Sequence, residues 1–249
     1  MASLFSKKSF IADLLENFVD IHCHILPGID DGASNSKVSI TLIRKLKKLG
    51  IVHYIATPHV MFDYYPNTAY TIAEAYEKLQ DALVKTNLSQ ITVSAAAEYM
   101  IDMHFEELLD TKNILPLKGT YVLVEMSYLQ PPINLEATLK KIQDKGFLPV
   151  LAHPERYVYY HDKKMSYDYL KRLGCFFQAN LLSFGPHYGK NVQKTAHYLL
   201  ENGWIDFVGT DVHHIGHVNS LAELTVSSKT FEHLKPVIAN TTRVFSTLI

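Results

Sequence analysis

The sequence predicts an α/β fold of seven parallel βα units, a barrel in preference to an open sheet, on three observations. Seven apolar runs of strand length recur, at 18–22, 52–57, 91–96, 121–125, 148–152, 176–179 and 205–209. Helical stripes lie between them. Six of the seven runs end at a histidine, glutamate or aspartate, and barrels of this class collect their chemistry at the C-terminal ends of their strands.

The units share one layout: a helical pattern, a glycine, an apolar run, then a polar residue. Val38, Leu42, Leu46 and Leu49 form the stripe before Gly50, and Ile72, Ala75, Tyr76, Leu79 and Leu83 form the next. Leu135, Leu139 and Ile142 precede Gly146, Leu173 precedes Gly174, and Val192, Ala196, Leu199 and Leu200 precede Gly203. Apolar residues three and four apart bury one face of a helix. A glycine after the last turn takes the left-handed conformation that a Cβ penalises. The runs that follow are apolar on both faces, as strands covered on both sides require. No linker divides residues 18–249, which read as one domain, and residues 1–17 read as an appended helical or irregular segment.

Composition removes several function classes. A chain of 249 residues with 47% hydrophobic content can build one sizeable core, and a net charge of -1 leaves no basic footprint for nucleic acid. No apolar stretch reaches the roughly 18 residues that a membrane helix needs, so the chain is not expected to be membrane-embedded. Lys7 and Lys8 are followed by no apolar signal region, and the two cysteines, Cys23 and Cys175, make no disulfide framework. A cytoplasmic location is expected.

The donors carry the functional signal. His22 and His24 lie two apart, as do Asp211 and His213, and strand residues two apart face the same way. His59, Glu98, Glu125 and His153 end other runs, and Asp31 sits in the loop 28–32. Together these are nine nitrogen and oxygen donors with no thiolate, which favours Mn²⁺, Fe²⁺ or Zn²⁺ over a structural zinc. One octahedral ion needs about six donors, so the count implies two or three ions. Solitary histidines such as His53, His104, His197 and His233 carry no role in this reading. Glu98 or Glu125 alone would pass for a surface carboxylate, but each follows an apolar run where an unpaired charge is costly. Cysteine-based phosphoester chemistry of the Cys-x₅-Arg kind is excluded, because Ile29 and Leu181 stand six residues after the cysteines.

Asp-Ile-His-Cys-His-Ile-Leu-Pro-Gly-Ile-Asp-Asp-Gly at 20–32 resembles the opening motif of the PHP (polymerase and histidinol phosphatase) superfamily. The likeness continues through Ala-Thr-Pro-His at 56–59, Ala-Glu-Tyr at 97–99, Val-Glu-Met-Ser at 124–127, Ala-His-Pro-Glu-Arg-Tyr at 152–157 and Gly-Thr-Asp-Val-His at 209–213. More narrowly, the chain is similar to the manganese-dependent bacterial protein-tyrosine phosphatases of capsule and exopolysaccharide operons, the CpsB/CapC type. That resemblance implies a distorted (β/α)₇ TIM-like barrel and a trinuclear site. It implies His22, His24 and Asp211 on one metal, Glu98 bridging to a second completed by Glu125 and His153, and Asp31, His59 and His213 on a third. Arg156 matches an arginine that contacts substrate phosphate, so Arg156, Asp211 and His213 are the expected catalytic residues. The implied cofactor is Mn²⁺, with Fe or Zn as alternatives, and the implied partner is a tyrosine-phosphorylated protein, a cognate bacterial tyrosine kinase. Relatives of this type carry a further arginine after Asp-x-His; here the stretch reads His-Ile-Gly-His-Val at 214–218, leaving His214 or His217 as substitutes. The loop 60–66 is expected either to wall an aromatic substrate or simply to cap the barrel, and Tyr157, Tyr159 and Tyr160 are open in the same way. Two rival functions remain: hydrolysis of a small phosphomonoester such as histidinol phosphate, and a non-catalytic kinase-binding regulator.

Overall fold

The structure, a computed structural model, describes residues 8–246. Residues 1–7 of the expected appended segment and 247–249 of the expected single domain therefore lie outside the described residues. In chain order the elements are β1 (Lys8–Phe10), β2 (Val19–Asp20), α1 (Ser36–Lys47), β3 (His53–Ala56), β4 (His59–Val60) and α2 (Ala69–Lys85). They continue with β5 (Thr92–Ala95), β6 (Glu98–Met100), α3 (Met103–Thr111), β7 (Tyr121–Glu125), α4 (Leu135–Asp144), β8 (Leu148–Ala152) and α5 (Lys164–Arg172). The last are β9 (Phe176–Asn180), α6 (Lys190–Glu201), β10 (Phe207–Gly209), α7 (Ile215–Glu223), β11 (Thr225–Ser227) and α8 (Ser228–Phe245).

The fold is α/β with parallel sheets. One sheet runs β10-β9-β8-β7-β6-β4 and another β2-β3-β5. Two of the expected strands resume beyond their expected ends after a break, which is how one ladder becomes two sheets. The run 52–57 gives β3, and the chain re-enters a ladder as β4 only past Pro58, which has no N–H to donate. Its neighbour breaks correspondingly between β5 and β6, and the ladder resumes with Glu98 N–H donating to the Pro58 carbonyl. The last expected strand is shorter than 205–209: it starts at Phe207, and Asp206 ties its beginning to β9, its N–H donating to the Phe177 carbonyl at 3.0 Å while its carboxylate accepts the Phe177 N–H at 2.7 Å and the Lys171 ammonium. The segments that follow β2 and β10 also meet, through a parallel bridge between Cys23 and Val212 and an Asp211 N–H to His22 carbonyl bond of 2.7 Å.

The helical stripes fold as their spacing predicts. Leu42 and Leu46 of α1, Leu79 and Leu83 of α2, Leu139 and Ile142 of α4, and Leu199 of α6 are all buried. Gly50 and Gly146 end their helices at φ +92° and +88°, a conformation that a side chain would strain. Most buried apolar residues form one large cluster between helices and sheet. A smaller one, including Leu123, Val150, Phe207 and Phe245, lies on the strand face that carries Glu125, since Leu123 and Glu125 are two apart. Residues 8–17 are neither wholly helical nor irregular. β1 pairs antiparallel with β11, and Ile11 and Leu15 are buried in the large cluster. Among the described residues no helix is long and apolar enough to cross a membrane. Truncating fully buried Leu123 to alanine should cost about 2–5 kcal/mol of stability by leaving a cavity under the site. Denaturant unfolding checks this through a lower midpoint at unchanged slope.

Candidate functional site

The strand ladder sets the donors side by side. β4 pairs with β6 so that His59 stands opposite Glu98, and β6 pairs with β7 so that Met100 stands opposite Glu125. His22 and His24 follow β2, His153 follows β8, and Asp211 and His213 follow β10. Two of these positions adopt the left-handed region that non-glycine residues avoid: His153 at φ +36° and Asp211 at φ +51°. Such backbone conformations persist where the surroundings over-determine them, and they concentrate at functional sites. The loop 28–32 is seated equally tightly, because a Cβ on Gly32 would lie 2.2 Å from the His24 carbonyl oxygen.

All nine proposed donors converge. Four overlapping groups have donor atoms within 4.8 Å of one another: His24, Asp31, His59 and His213; His22, His24 and Asp211; His22, Glu98 and His153; His59, Glu98 and Glu125. His22 Nε2 lies 3.1 Å from Glu98 Oε2 and 3.4 Å from Asp211 Oδ1, and His24 Nε2 lies 3.5 and 3.4 Å from the same two atoms. His153 Nε2 is 3.1 Å from Glu98 Oε1, His59 Nδ1 is 2.8 Å from Glu125 Oε1, and Asp31 Oδ1 is 3.5 Å from both His59 and His213. His153 thus groups with His22, and Glu125 with His59. Arg156 Nη1 donates to Asp211 Oδ2 at 2.9 Å.

Electrostatics follow from burial. Burial opposes the charge on Glu98, yet His22 and His59 outweigh it and hold the carboxyl well below its ordinary range. Asp211 behaves the same way, with His22, His24, His213 and Arg156 opposing its desolvation. The histidines respond reciprocally: burial resists protonation of His59, but Glu98 and then Glu125 push it up to about 9.

A pocket of about 470 Å³ opens over the cluster, lined by Tyr64, Tyr65, Tyr128, Arg156, Tyr188 and His217 among others. Of the residues left open by sequence, Tyr65 stacks on His59 at 5.5 Å between ring centroids, so the loop 60–66 does wall the pocket. Tyr157 instead is fully buried, its hydroxyl accepting the Met126 N–H, and Tyr159 donates to the Ser127 carbonyl. His217 is pushed down to about 4 by burial, then by His214 and His213. At neutral pH it offers a hydrogen bond, not the charge of a missing arginine.

Sequence reasoning overlooked the residues that hold the donors. Gln178 Oε1 lies 2.7 Å from His22 Nδ1, and Asp30 Oδ2 lies 2.8 Å from His24 Nδ1. Asn180 Nδ2 donates to Asp211 Oδ2 at 2.6 Å, while Glu155 accepts both the Asn180 N–H and the Ser183 hydroxyl. A signal was present. Gln178 and Asn180 are two apart at the end of the sixth strand, the same alternation as His22 and His24.

The family description "Capsular polysaccharide synthesis, CpsB/CapC" matches residues 18–226. The chain belongs to the CpsB/CapC family. It is 33% identical over 198 residues to the tyrosine-protein phosphatase YwqE of Bacillus subtilis, covering 79% of this chain and 78% of that one. Identity to the tyrosine-protein phosphatase CpsB of Streptococcus pneumoniae is 27% over 204 residues, covering 79% and 83%. A crystal structure from work on these two proteins, described as metal-dependent tyrosine phosphatases, superposes with a TM-score of 0.80 at 29% identity, covering 91% of this chain and 94% of that one. Dihydroorotase from Campylobacter jejuni shares the fold at a TM-score of 0.53 and 12% identity, covering 100% and 88%.

The donor set of this CpsB/CapC chain fits a metal on physical grounds. Among the described residues His22 Nε2, His24 Nε2 and Glu98 Oε2 are buried without a hydrogen-bond partner and face one another, while the outer nitrogens of both histidines are engaged. A buried polar atom left unpaired is costly, and a histidine anchored through one ring nitrogen with the other directed inward is the usual arrangement of a metal ligand. Replacing Gln178 by leucine should lower metal affinity about 10–100-fold by freeing the His22 ring, measured by competition with a chelating dye. Because Glu98 and Glu125 favour protonated His59, metal binding should release protons, and affinity should rise with pH up to about 9. Calorimetry in buffers of different ionisation enthalpy reads the proton count directly.

Proposed function

We propose that this chain is a metal-dependent protein-tyrosine phosphatase that holds two or three divalent cations, Mn²⁺ ahead of Fe²⁺ or Zn²⁺. His22, His24, Asp31, His59, Glu98, Glu125, His153, Asp211 and His213 would hold them. The observation that carries this reading is the division of labour at Asp211: Oδ1 faces His22, His24 and His213, and Oδ2 accepts from Arg156 and Asn180. One carboxylate thereby ties a cation-ready cluster to a phosphate-ready arginine.

When bound, divalent cations would supply Lewis-acid polarisation of a phosphoryl group and acidify water. The chain's own groups do the rest. Arg156, a permanently charged planar fork, neutralises oxygens on which negative charge builds in the transition state. Asp211 and Asn180 fix its direction. His213 stacks on His24 at 3.9 Å and borders the pocket with Asp31. Tyr64, Tyr65 and Met61 offer an aromatic and apolar wall, which suits a phenyl ring better than a sugar or an alkyl phosphate. A phenolate leaving group, of pKa near 10, also needs less proton assistance than an alkoxide. The thiols take no part: both cysteines are buried, and burial raises their pKa.

The seven strands would make one distorted (β/α)₇ TIM-like barrel domain, supported by the contacts between β2's end and Val212. The substrate would be a tyrosine-phosphorylated bacterial kinase, and a role in the control of capsular or exopolysaccharide synthesis is supported by the family's description. A cytoplasmic location is supported by the two free cysteines.

Phosphate release from a phosphotyrosine peptide, p-nitrophenyl phosphate and histidinol phosphate in Mn²⁺ tests the assignment. Turnover of the first two is expected; turnover of histidinol phosphate alone, or of none, would reject it. His22→Ala or Asp211→Ala should abolish both metal content and turnover. Arg156→Ala should keep its metal, by elemental analysis, while losing about 10²–10³-fold in kcat.

A further inference from the structure

We infer that Tyr128 and Tyr188 form an aromatic clamp that positions Arg156 for a phosphoryl group, an inference that rests on the phosphatase reading above. Arg156 lies in the 3₁₀ turn Pro154–Arg156 after β8, and β8 runs between β7 and β9 in the sheet. Tyr128 comes from the loop after β7 and Tyr188 from the loop after β9, so the rings approach from the two flanking strands. The guanidinium carbon stands 4.9 Å from the centroid of Tyr128 and 4.5 Å from that of Tyr188, both within cation–π range. Asp211 engages Nη1, and the side chain is 24% exposed. Rings against the guanidinium and a carboxylate on Nη1 leave Nε and Nη2 for a ligand in the pocket.

The clamp answers a specific electrostatic problem. Glu98, Glu125 and Asp31 also border the centre, and a flexible arginine would be drawn down among them, competing with cations for the same oxygens. Aromatic faces attract the guanidinium without neutralising it and hold it beside Asp211. Tyr128 also lies 3.5 Å from His153 Nε2, so its replacement disturbs a donor as well. Among the described residues Tyr188 touches Arg156 but makes no hydrogen bond or ring contact to any of the nine donors, which makes it the cleaner position to change. These are positioning residues: they act through Arg156.

The test uses the full chain loaded with Mn²⁺ and inorganic phosphate as the probe. Titration calorimetry gives phosphate affinity, elemental analysis gives metal content, and p-nitrophenyl phosphate gives kcat and KM. Tyr188→Leu is expected to weaken phosphate about five- to tenfold at unchanged metal content, and Tyr188→Phe to stay within about twofold of the parent. In an Arg156→Ala background, Tyr188→Leu should cost nothing further, the non-additivity expected of coupled residues. The clamp is overturned by parent-like phosphate affinity in Tyr188→Leu, by equal damage in the phenylalanine variant, by loss of metal, or by a full cost persisting without Arg156. A parent that binds phosphate yet hydrolyses no ester would remove the phosphatase reading, and the phosphate affinities would still decide the clamp.

Discussion

Glu98 and Asp211 carry negative charge where water scarcely reaches, at 0% and 2% exposure, and the site is organised around keeping them ionised. Unpaired, either charge would cost several kcal/mol or take up a proton. The protein surrounds them with imidazoles and one guanidinium, and these hold both carboxyls well below the usual range despite burial. The same arrangement leaves inward-facing atoms without hydrogen bonds, an expensive feature that divalent cations would relieve.

Such a centre demands a scaffold that fixes rings to within a fraction of an ångström. Register supplies part of that precision, since the β4–β6 pairing sets His59 opposite Glu98. Outer partners supply more: Gln178 and Asp30 decide how His22 and His24 are turned. Strained backbone at His153 and Asp211 supplies the last of it, held by their N–H groups donating to the Gln178 and His22 carbonyls at 2.7 Å. Asp20 strengthens the junction of β2 and β10 by accepting from the Thr210 N–H at 2.9 Å and from the Thr210 hydroxyl.

Above the buried charges the pocket changes character. Its walls are aromatic, and the cation at its edge, Arg156, is held by two rings and a carboxylate at once. A donor-rich floor with an aromatic rim separates the tasks of binding charge and recognising shape. His214 and His217 line the pocket too, and burial with repulsion from His214 and His213 keeps His217 neutral, so Arg156 stands there as a permanent cation.

Much of this was legible in the order of residues. Periodicity and glycine stops placed the helical stripes and all seven strand regions, and donors at successive run ends named the nine that converge, because period-two alternation and strand termini are local properties. Local rules could not reveal the ladder resuming on the Pro58 carbonyl, the Asp206 carboxylate taking the Phe177 N–H, or β1 reaching across to β11, since each depends on a partner far away in sequence. The holders of the donors were hidden for the same reason: Gln178 acquires meaning only once folding sets it 2.7 Å from a ring 156 positions away. Sequence by itself determined which chemical groups the protein owns and which strand ends bear them. Tertiary structure alone decided which oxygen of Asp211 meets the histidines and which meets Arg156, because that choice is made by packing between strands that never touch in the linear chain.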